Sequence, residues 1–148
     1  MDIVKLKTDV FKMAKPIVEN LGYELVEINY EEIEKQKYIT VVIYKQEGIT
    51  FEDCKVVSRA LDEPIDELDP TQGESYSLNV SSLGLDRPLK IKRDFERFLN
   101  KQIEVYSNNK DVGTLIEVND NSIKLKIKNA NKTIKFEEII KAMPYIKF

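Results

Sequence analysis

The sequence contains no histidine and a single cysteine, Cys54. A thiol becomes a nucleophile when a neighbouring base or cation lowers its pKa, and here no Cys–His pair exists to do so. Cys54 follows Thr50 at the spacing where an apolar side chain staples a helix start against Ile49, so a structural role in the core is expected. Ser81 and Ser82 are the other nucleophile candidates, and Lys90 and Lys92 are the only bases near them in sequence. That leaves a Ser–Lys arrangement as the sole hydrolytic reading. Glu31, Glu32 and Glu34 gather three carboxylates in a short polar stretch. Neighbouring acids without a fixed geometry are usually just solvated, so no metal site is expected. There is no GxxxxGK[ST] phosphate loop. No catalytic residue, metal or cofactor is expected.

Binding chemistry is better supplied. Lys124, Lys126 and Lys128 alternate with Ile123, Leu125 and Ile127, and a strand's period of two puts the lysines on one face. Such a row can meet RNA phosphate, with affinity that falls as salt rises. It can equally be a soluble outer face that discourages edge-to-edge pairing. Lys132 and Lys135 lie on the next segment, on opposite faces. No aromatic platform for stacked bases is evident, because the tyrosines and phenylalanines fall mostly on core stripes. Charge divides along the chain. Residues 1–90 hold eleven basic and eighteen acidic residues, a net of −7, and residues 91–148 hold twelve and eight, +4, which together give the overall −3. An acidic half and a basic half suggest two surfaces with different partners.

The elements that position these residues follow from periodicity. Ile3, Leu6, Val10, Met13, Ile17 and Leu21 step by three or four, which predicts an amphipathic helix with a kink or early stop at Pro16 and an end at Asn20-Leu21-Gly22. Residues 23–30 and 37–45 read as strands, with 31–36 as an exposed hairpin loop. Thr50 and Asp53 form a capping box that opens a second helix, whose stripe is Cys54, Val57, Leu61 and Ile65, with Pro64 and Pro70 breaking its tail. Asp69-Pro70-Thr71-Gln72-Gly73 is a turn, and Tyr76, Leu78 and Val80 mark a third strand. Two helices on one face of a three-stranded sheet is the economical packing. A connecting helix over 90–100, with Phe95, Phe98 and Leu99, precedes strands at 102–106, 112–118, 122–128 and 132–136. Gly113 marks a bend or bulge, a helical turn over 137–142 follows, and 145–148 could close a small barrel.

Between the halves lies Ser81-Ser82-Leu83-Gly84-Leu85-Asp86-Arg87-Pro88-Leu89. Gly84 can take positive φ, and Pro88 pushes Arg87 toward extended geometry. Asp86 and Arg87 can bond each other or the flanking backbone, or Arg87 can meet a partner's phosphate or carboxylate. This stretch resembles the Ser-Ser-Pro-Gly-Leu-Asp-Arg-Pro-Leu signature of the bacterial ribosome maturation factor RimP family. Eight of nine positions match, with Leu83 in place of the first proline. That replacement is expected to leave the chain freer before Gly84.

The resemblance implies an α+β protein in two domains. Residues 1–90 would be an N-terminal α/β domain of order αββαβ, K-homology-like. Residues 91–148 would be a connecting helix and a small all-β barrel of the Src-homology-like, Sm type. It also implies a non-catalytic factor for assembly of the 30S small ribosomal subunit. Such a factor binds immature or free subunits through a ribosomal protein near the decoding centre and through 16S rRNA. Ser81, Ser82, Gly84, Asp86, Arg87 and Pro88 would form the partner-binding or hinge signature, with Lys124, Lys126 and Lys128 as RNA or ribosome contacts. A monomer in the cytoplasm is expected, with no membrane partner: no apolar run reaches a membrane span, and Met1-Asp2-Ile3 begins no basic-then-apolar signal. The alternative is a free-standing Sm-like RNA-binding regulator.

Overall fold

Asp2 starts the first helix by accepting the Lys5 N–H at 3.1 Å, and α1 runs from Ile3 to Asn20. The computed structural model describes residues 2–83 and 87–145. Pro16 lies inside α1 but does not stop it. Its missing N–H falls on the exposed face, where water can serve the Lys12 carbonyl, while Leu6, Val10, Ala14 and Val18 hold the other face in the core. That stripe steps by four, so the outer members of the predicted one, Ile3 and Leu21, are exposed. Gly22, at φ 93°, and Tyr23 return their N–H groups to Glu19 and Val18, a Schellman ending.

The chain then forms β1 (Glu24–Ile33) and β2 (Gln36–Tyr44), antiparallel neighbours. The polar stretch 31–36 is therefore mostly strand rather than loop. Glu31 pairs with Tyr38, Glu32 with Lys37 and Ile33 with Gln36, leaving a two-residue turn at Glu34 and Lys35 with φ of 50° and 70°. Two positive φ values match the right-handed twist of the arms, and the ladder supplies what the sequence's polarity hides.

Thr50 and Asp53 form the capping box of α2 (Phe51–Leu68): Thr50 Oγ1 accepts the Asp53 N–H at 3.1 Å, and Asp53 Oδ2 accepts the Thr50 N–H at 2.8 Å. Val57, Leu61 and Ile65 are buried, and Cys54 is half-buried. Pro64 does not end α2, which continues to Leu68 and closes on Asp69 at φ 50°. After the turn, β3 (Ser77–Ser82) lies parallel to β2, so α2 is the crossover of a β–α–β unit. The sheet order is β1-β2-β3, and Leu25, Ile28, Ile39, Val41 and Ile43 share one core with both helices.

Tyr23 donates to Asp53 Oδ1 at 2.5 Å, tying the start of β1 to the cap of α2. The Tyr23 hydroxyl and the Thr50 backbone N–H hold the Asp53 carboxyl below the usual range. The Asp53 bond, followed by burial, raises the Tyr23 phenol. A depressed carboxyl stabilises the fold above its unfolded pKa, and that contribution fades as pH falls through its folded value. A raised phenol contributes below its unfolded pKa and fades as pH rises through its folded value. The tie is therefore complete near neutrality. Tyr23→Phe is expected to bring the Asp53 titration, followed by NMR, up toward the ordinary carboxylate range and to flatten the loss of stability on acidification. An unmoved Asp53 titration would contradict the tie.

Contacts divide the chain into two compact units, residues 1–83 and 84–148. In the second, α3 is a short helix, Lys92–Arg97, with Phe95 and Phe98 buried and Leu99 exposed. Five strands follow: β4 (Gln102–Tyr106), β5 (Lys110–Val118), β6 (Ser122–Ile127), β7 (Ala130–Lys135) and β8 (Lys141–Pro144), in antiparallel order β7-β6-β5-β4-β8. The helical turn is a 3-10 turn over Phe136–Glu138, shorter than predicted. The last described strand is Lys141–Pro144 rather than 145–148, because Ala142 and Pro144 alternate inward against Val105 and Ile103. Residues 146–148 of that prediction lie outside the described residues. The irregularity in β5 falls at Leu115–Glu117, and Gly113 instead makes room for β6.

Candidate functional site

The signature begins as the end of β3. Ser81 pairs with Val42 and Ser82 with Ile43, with Ser81 half-buried and Ser82 exposed. Leu83 donates its N–H to the Ile43 carbonyl at 3.2 Å and lengthens the ladder by one bond. A proline there has no N–H to give, so the leucine adds an anchor instead of the freedom predicted from its sequence. Gly84 and Asp86 lie outside the described residues, as does the predicted Asp86–Arg87 contact. Arg87 is half-buried, Pro88 is exposed and Leu89 is buried, its N–H bound to the Ala142 carbonyl at 2.9 Å. Each described arm of the signature is thus fixed by backbone bonds within its own unit.

Just after the signature stands a centre that sequence reading missed. Asp94 Oδ2 accepts the N–H groups of Lys90 at 2.9 Å and Ile91 at 3.1 Å. Its Oδ1 takes the Arg97 Nη1 at 2.8 Å, in a pair whose side chains are only 16% and 6% exposed. One carboxylate therefore caps α3 and neutralises a buried guanidinium. The available signal was an acid three residues before an arginine, directly after Pro88 and Leu89.

Lys92 bonds Asp120 at 2.6 Å, and that bond raises the lysine's pKa. A base for Ser81 or Ser82 needs the opposite shift, so Lys92 is poorly suited to activate a hydroxyl. Burial, followed by the Asp53 charge, raises the Cys54 thiol and keeps it neutral. Glu31 and Glu32 lie on the hairpin arm, and Glu32 stands 3.9 Å from Lys37.

The predicted lysine row is only partly realised. Lys124 and Lys126 share the outer face of β6, but the strand ends at Ile127 and Lys128 sits in a turn at φ 54°. A left-handed backbone breaks the alternation that would have kept it in line. Register supplies other members. Lys135 pairs opposite Ser122, so it joins the face of Lys124 and Lys126. Across Thr114 the same face continues through Lys110 to Tyr106 and Lys141. Glu117 compensates Lys124 at 3.2 Å, and Glu104 lies 3.8 Å from Lys110. Lys126, Lys135 and Lys141 are exposed, and among the described residues none of the three has an ion pair. Lys132 faces the other way and pairs with Asp111 at 2.7 Å.

A family model described as the RimP N-terminal domain matches residues 13–86, half of the chain. The chain belongs to the RimP family of ribosome maturation factors. The match runs from within α1 through β3 and into the RimP signature as far as Asp86. It covers most of the mixed helix-and-strand unit, and the strands β4 to β8 lie beyond it. Helices and strands together make this RimP chain α+β. No described helix is long and apolar enough to cross a membrane.

Proposed function

We propose that the chain is a non-catalytic assembly factor for the 30S small ribosomal subunit, which binds immature or free subunits and favours one assembly conformer by binding energy alone. The RimP N-terminal match carries this reading, and the signature that ends β3 supports it. The first unit, with its αββαβ order, acts as a K-homology-like domain, and the second as an Sm-type barrel. Ser81, Ser82, Gly84, Asp86, Arg87 and Pro88 join the two domains or line a partner contact. The barrel engages a small-subunit ribosomal protein near the decoding centre and 16S rRNA, in the cytoplasm and as a monomer. Lys124, Lys126 and Lys128 remain the sequence-derived contact set, and register adds Lys135 and Lys141 to their chemistry. The outer lysine face also favours a second reading, an Sm-like RNA-binding regulator acting on free RNA.

Counterion release gives the test. Affinity for purified free small subunits is expected to fall as salt rises. The triple variant Lys126→Gln, Lys135→Gln and Lys141→Gln is expected to flatten the log–log slope by about 2. Binding curves that coincide for both proteins at every salt concentration would remove the lysine face from the interface.

A further inference from the structure

The second unit carries a groove of about 880 Å³ between the segment Leu89–Lys92 and the 3-10 turn with its continuation to Ala142. Its floor is Phe95 and Leu89, both buried, with the Phe136 ring set edge-on to Phe95 at 5.2 Å. Ile91 and Ile140 stand on its margins at 62% and 79% exposure. Two backbone bonds, Leu89 N–H to the Ala142 carbonyl and Ile140 N–H to the Tyr106 carbonyl, fix the backbone on both sides of the groove. Large aliphatic side chains fixed in this way on the margins of a groove leave apolar area for a partner to cover.

Charge identifies the partner. Lys90 and Lys141 lie on the rim, exposed and without an ion pair among the described residues, and Lys92 is held there by Asp120 at 2.6 Å. Three lysines against one aspartate give the apolar groove a positive border. We propose that it receives a short protein segment that places bulky aliphatic or aromatic side chains between Asp or Glu residues. The carboxylates meet Lys90 and Lys141, and the anchors cover Ile91 and Ile140. An RNA base fits less well, because aliphatic walls offer no π face and the Phe136 ring already packs on Phe95. A symmetric second copy would set these lysines against their own equivalents. Lys141 belongs both to this border and to the lysine face of the ribosome reading, whereas Ile91 and Ile140 belong to the groove alone, so Ile140→Ser tests the groove while leaving that face intact.

The probe is a random dodecapeptide library displayed on phage and selected against the full chain. Two variants serve as counter-targets: Ile140→Ser, and Lys90→Glu with Lys141→Glu. All three positions are exposed, so the fold should tolerate the changes. Enriched peptides are expected to carry apolar anchors flanked by acids, to shift the amide signals of Ile91 and Ile140, and to bind each variant roughly tenfold more weakly. Basic or charge-indifferent winners would overturn the proposal, as would equal binding to Ile140→Ser or no enrichment at all. Self-association that Ile140→Ser abolishes would assign the groove to a second copy instead.

Discussion

Asp94→Ala is expected to destabilise the second unit by about 3 kcal/mol, measured by urea unfolding with amide exchange to separate the two units. The substitution frees two backbone N–H groups, of Lys90 and Ile91, and strips a carboxylate from the buried Arg97 guanidinium. Removing one partner of a buried pair exposes the desolvation penalty of the other, so the loss exceeds that of a surface ion pair. Replacing both, as Asp94→Leu with Arg97→Leu, is expected to recover part of the loss, because apolar side chains carry no such penalty. A loss under about 1 kcal/mol for Asp94→Ala would mean that the pair behaves as if it were on the surface. Asp94 also shapes the backbone of the segment that lines the groove, so the variant should weaken groove ligands in step with stability.

Gly113→Ala is expected to cost about 2 kcal/mol, and Gly113→Val more. A β-carbon at this position would lie 2.7 Å from the Lys126 carbonyl oxygen and 2.9 Å from Ile127 Cγ1. The oxygen belongs to the β6 backbone, which is paired with β5 at Thr114, so it cannot retreat without disturbing the ladder. The constraint is space between strands, not an unusual φ, because Gly113 does not adopt a positive φ. Displacing β6 also moves Lys126, so the variant should lose salt-dependent binding before it unfolds. Wild-type stability in Gly113→Ala would show that the strands can separate cheaply here.

Much of this architecture was legible where one signal dominated. Residues 122–127 alternate without interruption, and β6 follows them. Thr50 and Asp53 announced the start of α2 because a capping box is local chemistry. Pro16 and Pro64 do not stop their helices, because burial offsets the cost of each lost backbone bond. Around Pro16 and Pro64 the side chains of Ala14, Val18, Leu61 and Ile65 keep both helices whole. The arm over 31–36 reads as loop from composition, yet cross-strand pairing extends it almost to the tip.

The candidate site was less legible, for two reasons. Lys128 leaves the row because the strand stops one residue earlier, a boundary that alternation alone does not encode. Lys135 and Lys141 enter the face through register, which depends on which residues oppose each other across strands distant in sequence. The groove was invisible for the same reason, since Leu89 and Ile140 are far apart in the chain and meet only through the fold. The signature itself was plain in sequence, and its two described arms are each held by a backbone bond, Leu83 N–H to the Ile43 carbonyl and Leu89 N–H to the Ala142 carbonyl.

The most direct measurement is co-sedimentation of the full chain with purified free small subunits, free large subunits and assembled ribosomes on sucrose gradients. The assembly-factor reading predicts that the protein travels with the free small subunit and stays at the top of the other two gradients. Equal association with all three particles, or tight binding to bare RNA with no preference for the small subunit, would contradict it.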